Sequence, residues 1–553
     1  MKLSLAFAGV LFAASVNANK PHILLVVVDD LGWADVGFHL SADAQTDVMT
    51  PTIDSLAHSG VILDRHYVYH SCTPSRTSMM SGRLPVYVSE SLSCPENPQT
   101  GVPRNMTGMG IKLQQGGYKT AVVGKWDVGM ATPDHTPHGR GFDQSLIYFE
   151  HKNDFWSFGI MQSTCCSETN SSYNLLTDLW DGDAPANLEA LGVSGGDYYE
   201  EYLFKDRLLE IVDGHDTDSP LALIYTPHVA HCPLQVPKEY LDKFSLGNDE
   251  DQCYAQSYPG FTPATTEIYP GFGDDQSKYS CRAQYLAMVN VLDDNLLALT
   301  GALEAKGLWE NTLMVFTSDN GGCITLDESG GNNWPLKGGK YSDFEGGIRA
   351  TAFVSGGYLP EAVRGTTTSA VMHIADWYTT FSILAGVDPF DSKAAAQLDK
   401  PLPPVSGLDL WPVLSGQNAT SPHADLPVGS NVFIDATNGM KLVLGTQKSS
   451  GWQGETYPNA SSPSEDPEAA EWNVDCTGGC LYNVTADVTE QSDVAGLYPG
   501  ILADMKDRLS ALKEGFYTND DVGVDVCPGG LDVDCACWAG ANIWGGFFGP
   551  YQL

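Results

Sequence analysis

The run His22-Ile23-Leu24-Leu25-Val26-Val27-Val28 is apolar from Ile23 onward at odd and even positions alike, and it stops at Asp29-Asp30. A strand that is apolar on both faces must be covered on both, so it belongs inside a largely parallel sheet between helices. Thr120–Val123, Leu221–Thr226, Leu313–Ser318 and Ala350–Ser355 repeat the pattern. Between them, Arg282 to Lys306 carries apolar residues at helical spacing and ends at Gly307, a C-terminal cap. The expectation is an α/β fold with a large sheet. The pattern decays after Ser415. Gly451 to Glu471 has a loop composition, a helix is expected from Gly500 to Glu514, and a Cys/Gly-rich tail follows. These shifts predict a major domain over 19–415 and a smaller α+β domain over 416–553.

Residues 1–18 read as an address rather than as structure. Lys2, an apolar run from Leu3 to Ala14 and the small residues around Val16-Asn17-Ala18 match a signal peptide, so the mature chain is expected to begin near Asn19. No later stretch holds eighteen or more uninterrupted apolar residues, and no membrane span is expected. Sequons at Asn105, Asn170, Asn418, Asn459 and Asn483 fit the secretory pathway, with secretion or a lysosomal or vacuolar compartment as destinations. The 13 cysteines are an odd number, so disulfides are expected with at least one cysteine left over. Cys476 with Cys480 and Cys253 with Cys281 are plausible pairs.

Charge narrows the partners. Against 29 basic residues stand 69 acidic ones, a formal charge of −40, which argues against nucleic acid or an anionic membrane as the main partner. An anionic substrate would have to be gripped by a few locally concentrated cations. Such cations do gather in short segments: Arg76, Arg83, Lys125, Lys337, Lys340 and Arg349.

In α/β sheets, ligands collect beyond the carboxyl ends of strands. Asp29-Asp30 stands there after the first strand and Asp319-Asn320 after Leu313–Ser318. Three carboxylates and an amide make an all-oxygen set suited to Ca²⁺ or Mg²⁺ rather than Zn²⁺. His228-x-x-His231 is bracketed by Pro227 and Pro233, which argues against a helical zinc pair. The sharpest string is Cys72-Thr73-Pro74-Ser75-Arg76, followed by Thr77 to Arg83 as a short helix. Cys72 alone could be half a disulfide.

The whole string, with its trailing Ser81-Gly82-Arg83, resembles the signature of the formylglycine-dependent (type I) sulfatases. The likeness extends to Val28–Trp33, Gly124-Lys125-Trp126, His231–Pro237, Ser318–Gly322, Asn332–Lys340, Glu345–Arg349 and His373–Trp377, and looks strongest toward the arylsulfatase B (N-acetylgalactosamine 4-sulfatase) group. It implies an alkaline-phosphatase-like fold, with a large mixed sheet between helices and a small C-terminal domain. It also implies a formylglycine made from Cys72 by the formylglycine-generating enzyme, and a Ca²⁺ (or Mg²⁺) held by Asp29, Asp30, Asp319, Asn320 and the modified Cys72. Arg76 would steady that group. Lys125, His231 and Lys340 would hold the sulfate, with His231 or Lys340 as general acid. The implied substrate is an aryl sulfate or a sulfated carbohydrate.

One position departs from the pattern. The family's Gly-Lys-Trp-His-Leu-Gly reads Gly124-Lys125-Trp126-Asp127-Val128-Gly129 here. The missing histidine is the one credited with taking a proton as sulfate is expelled. Asp127 could be a base, but its charge would repel sulfate and compete for the metal; His70, His135, His138 or His228 could bring an imidazole from another loop. Two rivals therefore stay open. A phosphoesterase of the same superfold would carry Ser or Thr in place of Cys72 and more metal-binding histidines. A catalytically impaired homologue would bind sulfated glycans without turnover, as Asp127 allows. Oligomeric state is not legible.

Overall fold

The computed structural model describes residues 20–41, 48–92, 94, 95, 97, 100–160, 176–193, 198–244, 280–324, 330–391, 402–454, 473–513, 515, 517 and 535–552. The expected signal peptide, the sequons at Asn170 and Asn459, Cys253 and most of the 451–471 loop lie outside them.

The strands in chain order are β1 (His22–Val28), β2 (Val61–Leu63), β3 (His66–Tyr67), β4 (Lys119–Lys125), β5 (Gln144–Tyr148), β6 (Trp180–Asp181), β7 (Ala184–Pro185) and β8 (Leu221–Thr226). They continue with β9 (Thr312–Ser318), β10 (Ala352–Ser355), β11 (Thr366–Thr368), β12 (Met372–His373), β13 (Asp425–Gly429), β14 (Val432–Asp435), β15 (Met440–Gln447) and β16 (Val474–Asn483). Ten of them form one sheet in the order β11-β2-β10-β9-β1-β8-β4-β5-β6-β7. Its centre is parallel: β1 lies between β9 and β8, and β8 continues to β4 and β5. The Ala350–Ser355 run enters as β10, antiparallel to both β9 and β2, so the sheet is mixed.

Every residue of β1 is buried. Successive side chains of a strand point to opposite faces, so β1 feeds two cores. Ile23, Leu25 and Val27 pack with Met79 and Met80 of the helix Cys72–Ser81 and with Trp377, Tyr378 and Phe381 of the helix Asp376–Leu384. Leu24, Val26 and Val28 pack with Leu203, Phe204 and Leu208 of the helix Glu200–Gly214 and with Leu292, Leu296 and Leu299 of the helix Cys281–Ala305. Each such side chain contributes about 1.5–3 kcal/mol by leaving water.

The helix Cys281–Ala305 starts at Ser280, whose hydroxyl accepts from the Ala283 amide, and the chain then turns at Gly307 with φ +75°. Among the described residues it is the helix long and apolar enough to cross a membrane, yet 72% of that apolar window is buried inside the protein. Its apolar surface is already covered by the sheet and by the helix Glu200–Gly214.

Beyond the large sheet, β13 to β16 form a four-stranded antiparallel sheet. The helix Pro499–Lys513 lays Met505 and Leu509 on Phe433, Met440, Leu442 and Leu481. Cys476 and Cys480 are joined within β16. Cys281 is disulfide-bonded too, as are Cys94, Cys535 and Cys537, whereas Cys72 keeps a buried thiol.

Candidate active site

Because β1, β4, β5, β8 and β9 run parallel, their carboxyl ends open onto one edge of the sheet, and the loops leaving them meet there. β1 delivers Asp29 and Asp30, β9 delivers Asp319 and Asn320, β4 ends in Lys125 and leads to Asp127, and β8 leads to His228 and His231. Gly124 makes the Lys125 placement possible: at φ +110° a Cβ would lie 1.9 Å from the Thr226 carbonyl oxygen. Asp30 and Asp127 both sit in the left-handed region, with φ of 56° and 48°. Aspartate tolerates that conformation better than most residues, and strain of this kind concentrates at sites that need it.

Cys72 opens the helix Cys72–Ser81, every residue of which is buried. Pro74 fits its first turn, where no amide partner is needed, and Gly82 closes it with φ 68°. The Cys72 thiol points at Asp29, Sγ to Oδ1 3.5 Å. Burial first, and then the Asp29 charge, push that thiol well above its ordinary range, against the pull of Lys125 and Lys340. A thiol so placed is a poor nucleophile.

Asp29, Asp30, Cys72 and His231 each bring a ligand atom within 4.8 Å of the others. Asp319 and Asn320 border this cluster: the Asp30 amide lies 3.4 Å from Asp319 Oδ1, and Asn320 Nδ2 donates to Asp30 Oδ1 at 2.7 Å. Asn320 Oδ1 is buried and accepts no hydrogen bond. Cations crowd around. Lys125 Nζ is 2.6 Å from Asp29 Oδ2, Lys340 Nζ is 2.7 Å from Asp30 Oδ1, and Arg76 Nη2 is 2.8 Å from Asp319 Oδ2 and 3.6 Å from Asp29 Oδ2.

Burial would raise all three carboxyls. Lys125 chiefly, with His231, Arg76 and Lys340, overrules it at Asp29 and holds that group below the ordinary range. At Asp30 burial prevails over Lys340, and Asp319 is pushed up to about 7 by burial and by Asp29. The buried carboxylates Asp29, Asp30, Asp127 and Asp319 outnumber the buried cations Arg76, Lys125 and Lys340. A surplus of buried negative charge, hard oxygen donors and an orphaned amide oxygen all suit a divalent cation, so the residues present fit a Ca²⁺ or Mg²⁺.

His231 donates from Nδ1 to the Cys232 carbonyl at 2.7 Å, which turns Nε2 toward Asp30 Oδ2 at 3.7 Å. Burial, then Lys340, hold this imidazole well below its ordinary range, against the opposite pull of Asp29. The expected sulfate-holding trio Lys125, His231 and Lys340 is thus gathered on Asp29 and Asp30, the two acids that follow β1. His228 is turned away, its Nδ1 2.8 Å from Glu200 and its ring centroid 6.2 Å from that of His231. The pair does not converge as zinc ligands would.

Asp127 is fully buried. Its Oδ1 accepts from Thr73 Oγ1 at 2.9 Å and lies 3.1 Å from His151 Nδ1; its Oδ2 is 3.7 Å from Lys125 Nζ. None of the four histidines expected from the sequence stands against it. His70 is 3.8 Å from Asp343, His135 bonds Thr132 at 2.9 Å, His138 is exposed 3.7 Å from Asp183, and His228 is on Glu200. The imidazole comes from His151, which the sequence reading missed. His151 stands three residues after Tyr148, the last residue of β5, on the same carboxyl edge as the other site residues.

A family model described as Sulfatase matches residues 21–387. Arylsulfatase J of Mus musculus is 29% identical over 526 residues, covering 90% of this chain and 76% of that protein. N-acetylgalactosamine-6-sulfatase of Mus musculus is 25% identical over 517 residues, covering 88% of this chain and 81% of that protein. Among solved structures, Ps i-CgsB in complex with k-i-k-neocarrahexaose superposes with a TM-score of 0.65 at 24% identity, covering 91% of this chain and 94% of that chain. This last likeness speaks for the fold alone.

Proposed function

The chain belongs to the sulfatase family, the sulfuric ester hydrolases, and from that premise we propose that it cleaves sulfate esters of a carbohydrate, using a formylglycine made from Cys72 and a bound Ca²⁺ or Mg²⁺. The observation that carries the reading is the placement of Cys72: the first residue of a buried helix, its side chain 3.5 Å from Asp29 in a pocket of opposed charges. The carbohydrate part rests on a relative named for a sugar sulfate.

Asp29, Asp30, Asp319 and Asn320, with the side chain at position 72, would hold the cation. The cation supplies a Lewis acid and the formylglycine supplies the nucleophile. The chain's own residues do the rest. Lys125 and Lys340 present fixed positive charge where a sulfate monoester carries its negative oxygens, and their burial strengthens that attraction. His231, anchored through Nδ1, is aimed at the same spot; of the two candidates for general acid, Lys340 carries a proton to give the leaving alcohol, whereas His231 would first have to take one up on Nε2. Arg76, held by Asp319 and Asp29 about one helical turn beyond position 72, would steady the side chain there. The closed surroundings of these groups exclude water from the charges they hold.

The domains assigned are 19–415 for catalysis and 416–553 for the smaller unit, after removal of residues 1–18 in the secretory pathway, where the formylglycine-generating enzyme would act. Mass spectrometry of the tryptic peptide His66–Arg76, from protein secreted by a host that modifies a control sulfatase, tests the reading together with an aryl sulfate assay. An aldehyde at position 72 with turnover is the expected result. An unmodified Cys72 overturns it and leaves glycan binding without turnover, the reading that the buried Asp127 carboxylate favours.

A further inference from the structure

The groups gathered on Asp29 and Asp30 are buried, whereas residues beside them in the chain, His70, Cys232 and Tyr341, are only half-buried and mark the rim of the pocket. Tyr341 is the unusual one. Its φ of +70° is an outlier for a bulky side chain. The backbone is pinned in that state by the loop after β9, by the segment before Cys72 and by its own turn. The Lys340 amide donates to the Gly322 carbonyl at 3.1 Å, the Tyr341 amide to the His70 carbonyl at 2.8 Å, and the Ser342 amide to the Gly339 carbonyl at 3.0 Å. Strain that the surroundings over-determine points to a use for the side chain it aims. That side chain turns toward the pocket: the Tyr341 ring centroid is 5.5 Å from Lys340 Nζ, the ammonium that sits 2.7 Å from Asp30 Oδ1.

Lys340 would lower the phenol, but burial, position 72 and Asp30 outweigh it, so the hydroxyl keeps its proton. The deeply buried tyrosines Tyr118, Tyr199, Tyr225 and Tyr285 all donate their hydroxyls to protein oxygens. Among the described residues Tyr341 donates its hydroxyl to none. We propose that Tyr341 is a specificity residue for the alcohol part of the ester: a sugar ring lies on its aromatic face, and one sugar hydroxyl bonds its phenol. With the sulfate held by Lys125 and Lys340, the alcohol has to lie toward the rim. An apolar face with a polar tip matches a pyranose there, because the sugar presents a face of C–H groups edged by hydroxyls. Inorganic sulfate has no alcohol part and makes no use of Tyr341. This inference deepens the reading of Cys72 and its pocket given above, and rests on it.

The test uses the Ca²⁺-loaded full chain as wild type, Tyr341→Phe, Tyr341→Ala and Tyr341→Gly. Values of kcat/KM are measured on galactose and glucose sulfated at the primary hydroxyl and on a nitrophenyl sulfate. Calorimetric binding of the same sugar sulfates and of inorganic sulfate is measured on a Cys72→Ala background, where no turnover intrudes. In Tyr341→Phe the sugar-over-aryl ratio of kcat/KM is expected to fall by on the order of three- to tenfold, the worth of one hydrogen bond. In Tyr341→Ala sugar sulfate binding is expected to weaken by about thirtyfold, because the packed ring goes as well, and inorganic sulfate should bind all variants alike. Tyr341→Gly should match Tyr341→Ala in binding yet melt higher, because a φ of +70° costs glycine nothing. Unchanged sugar binding in Tyr341→Ala overturns the platform, and an unchanged ratio in Tyr341→Phe overturns the role of the hydroxyl. An equal weakening of inorganic sulfate overturns the proposal too, by making the ring part of the sulfate pocket, as do sugar sulfates that bind no tighter than inorganic sulfate when Tyr341 is intact. If the wild type turns over neither class of ester, the reading of residue 72 fails instead, while the binding comparison still decides the role of Tyr341.

Discussion

Two clusters of charge lie equally deep in this molecule and differ in kind. One is the pocket at the carboxyl edge of the large sheet, where four buried carboxylates meet three buried cations. The other lies between the large sheet and the small one, where Lys441 of β15 sits 3.0 Å from both Glu345 and Glu490, and Arg349 Nη1 is 3.4 Å from Glu345. There the acids and bases are even, Tyr67 adds a hydroxyl to Glu345 at 3.1 Å, and the Glu345 amide donates to Glu490 at 2.7 Å. Lys337 nearby is covered by Phe344 at 3.9 Å and Trp452 at 4.7 Å. Depth and perturbed ionisation are common to both clusters, so neither marks a site. What separates them is the surplus of one sign, the orphaned amide oxygen of Asn320, and a residue, Cys72, at which chemistry can begin.

The sharpest contrast is expected in activity. Cys72→Ala should abolish turnover on an aryl sulfate and leave the melting temperature close to that of the wild type, since a small residue replaces a small one in a packed helix. Lys441→Met should do the reverse. It leaves Glu345 and Glu490 buried without their shared cation, which costs about 3–5 kcal/mol, and kcat of the protein that remains folded should change by less than about tenfold. Chemical denaturation and steady-state rates on the two variants would check this; a Lys441→Met protein as stable as the wild type would erase the distinction between the clusters.

Much of this contrast was readable in the sequence, for definite reasons. β1, β8, β9 and the helix Cys281–Ala305 declare themselves because they are apolar on every face or at every helical turn, and the acids that end such runs have nowhere to go but the sheet edge. β5 escaped notice. It has five residues, begins with exposed Gln144, and carries no apolar run longer than its neighbours, so His151 on the loop beyond it could not be placed. The antiparallel entry of β10 was equally hidden, because pairing direction leaves no mark on composition. The balanced cluster was invisible for another reason. Lys441 lies in the run Met440-Lys441-Leu442-Val443-Leu444, where an alternating strand would ordinarily turn it to solvent, and only the contact between the two sheets buries it.

A third buried acid tests what happens where neither a surplus of carboxylates nor ion pairing is present. Asp178 accepts the amides of Phe149 and Glu150, both at 2.8 Å, beneath the loop that carries His151. Burial outweighs those two bonds and pushes its carboxyl from 3.8 up to about 7. A group raised in the folded state binds its proton more tightly there than in the unfolded chain. Its contribution to stability is full below about 3.8 and is lost as pH rises through about 7. Asp178→Asn removes this dependence, so the drop in melting temperature between acid and neutral pH should be shallower in the variant. An unchanged pH slope would show that Asp178 is ionised throughout.

The last expectation concerns the cation and separates the clusters without any appeal to turnover. A ligand that binds only the folded chain stabilises it by about 2.7 kcal/mol when present at a hundredfold excess over its dissociation constant. Adding Ca²⁺ to chelator-treated wild type should therefore raise the melting temperature by several degrees, with Mg²⁺ as the comparison. Asp30→Asn should lose most of that response, because it removes charge from the cluster in which Asp29, Asp30, Cys72 and His231 converge. Lys441→Met should keep the response in full from its lower starting point, since its cluster is balanced and offers a divalent ion no surplus charge. If Ca²⁺ stabilises Asp30→Asn as much as the wild type, the ion binds elsewhere on this acidic surface. The surplus charge of the pocket would then have to be met by protonation, with Asp319, already raised to about 7, the first to take it up.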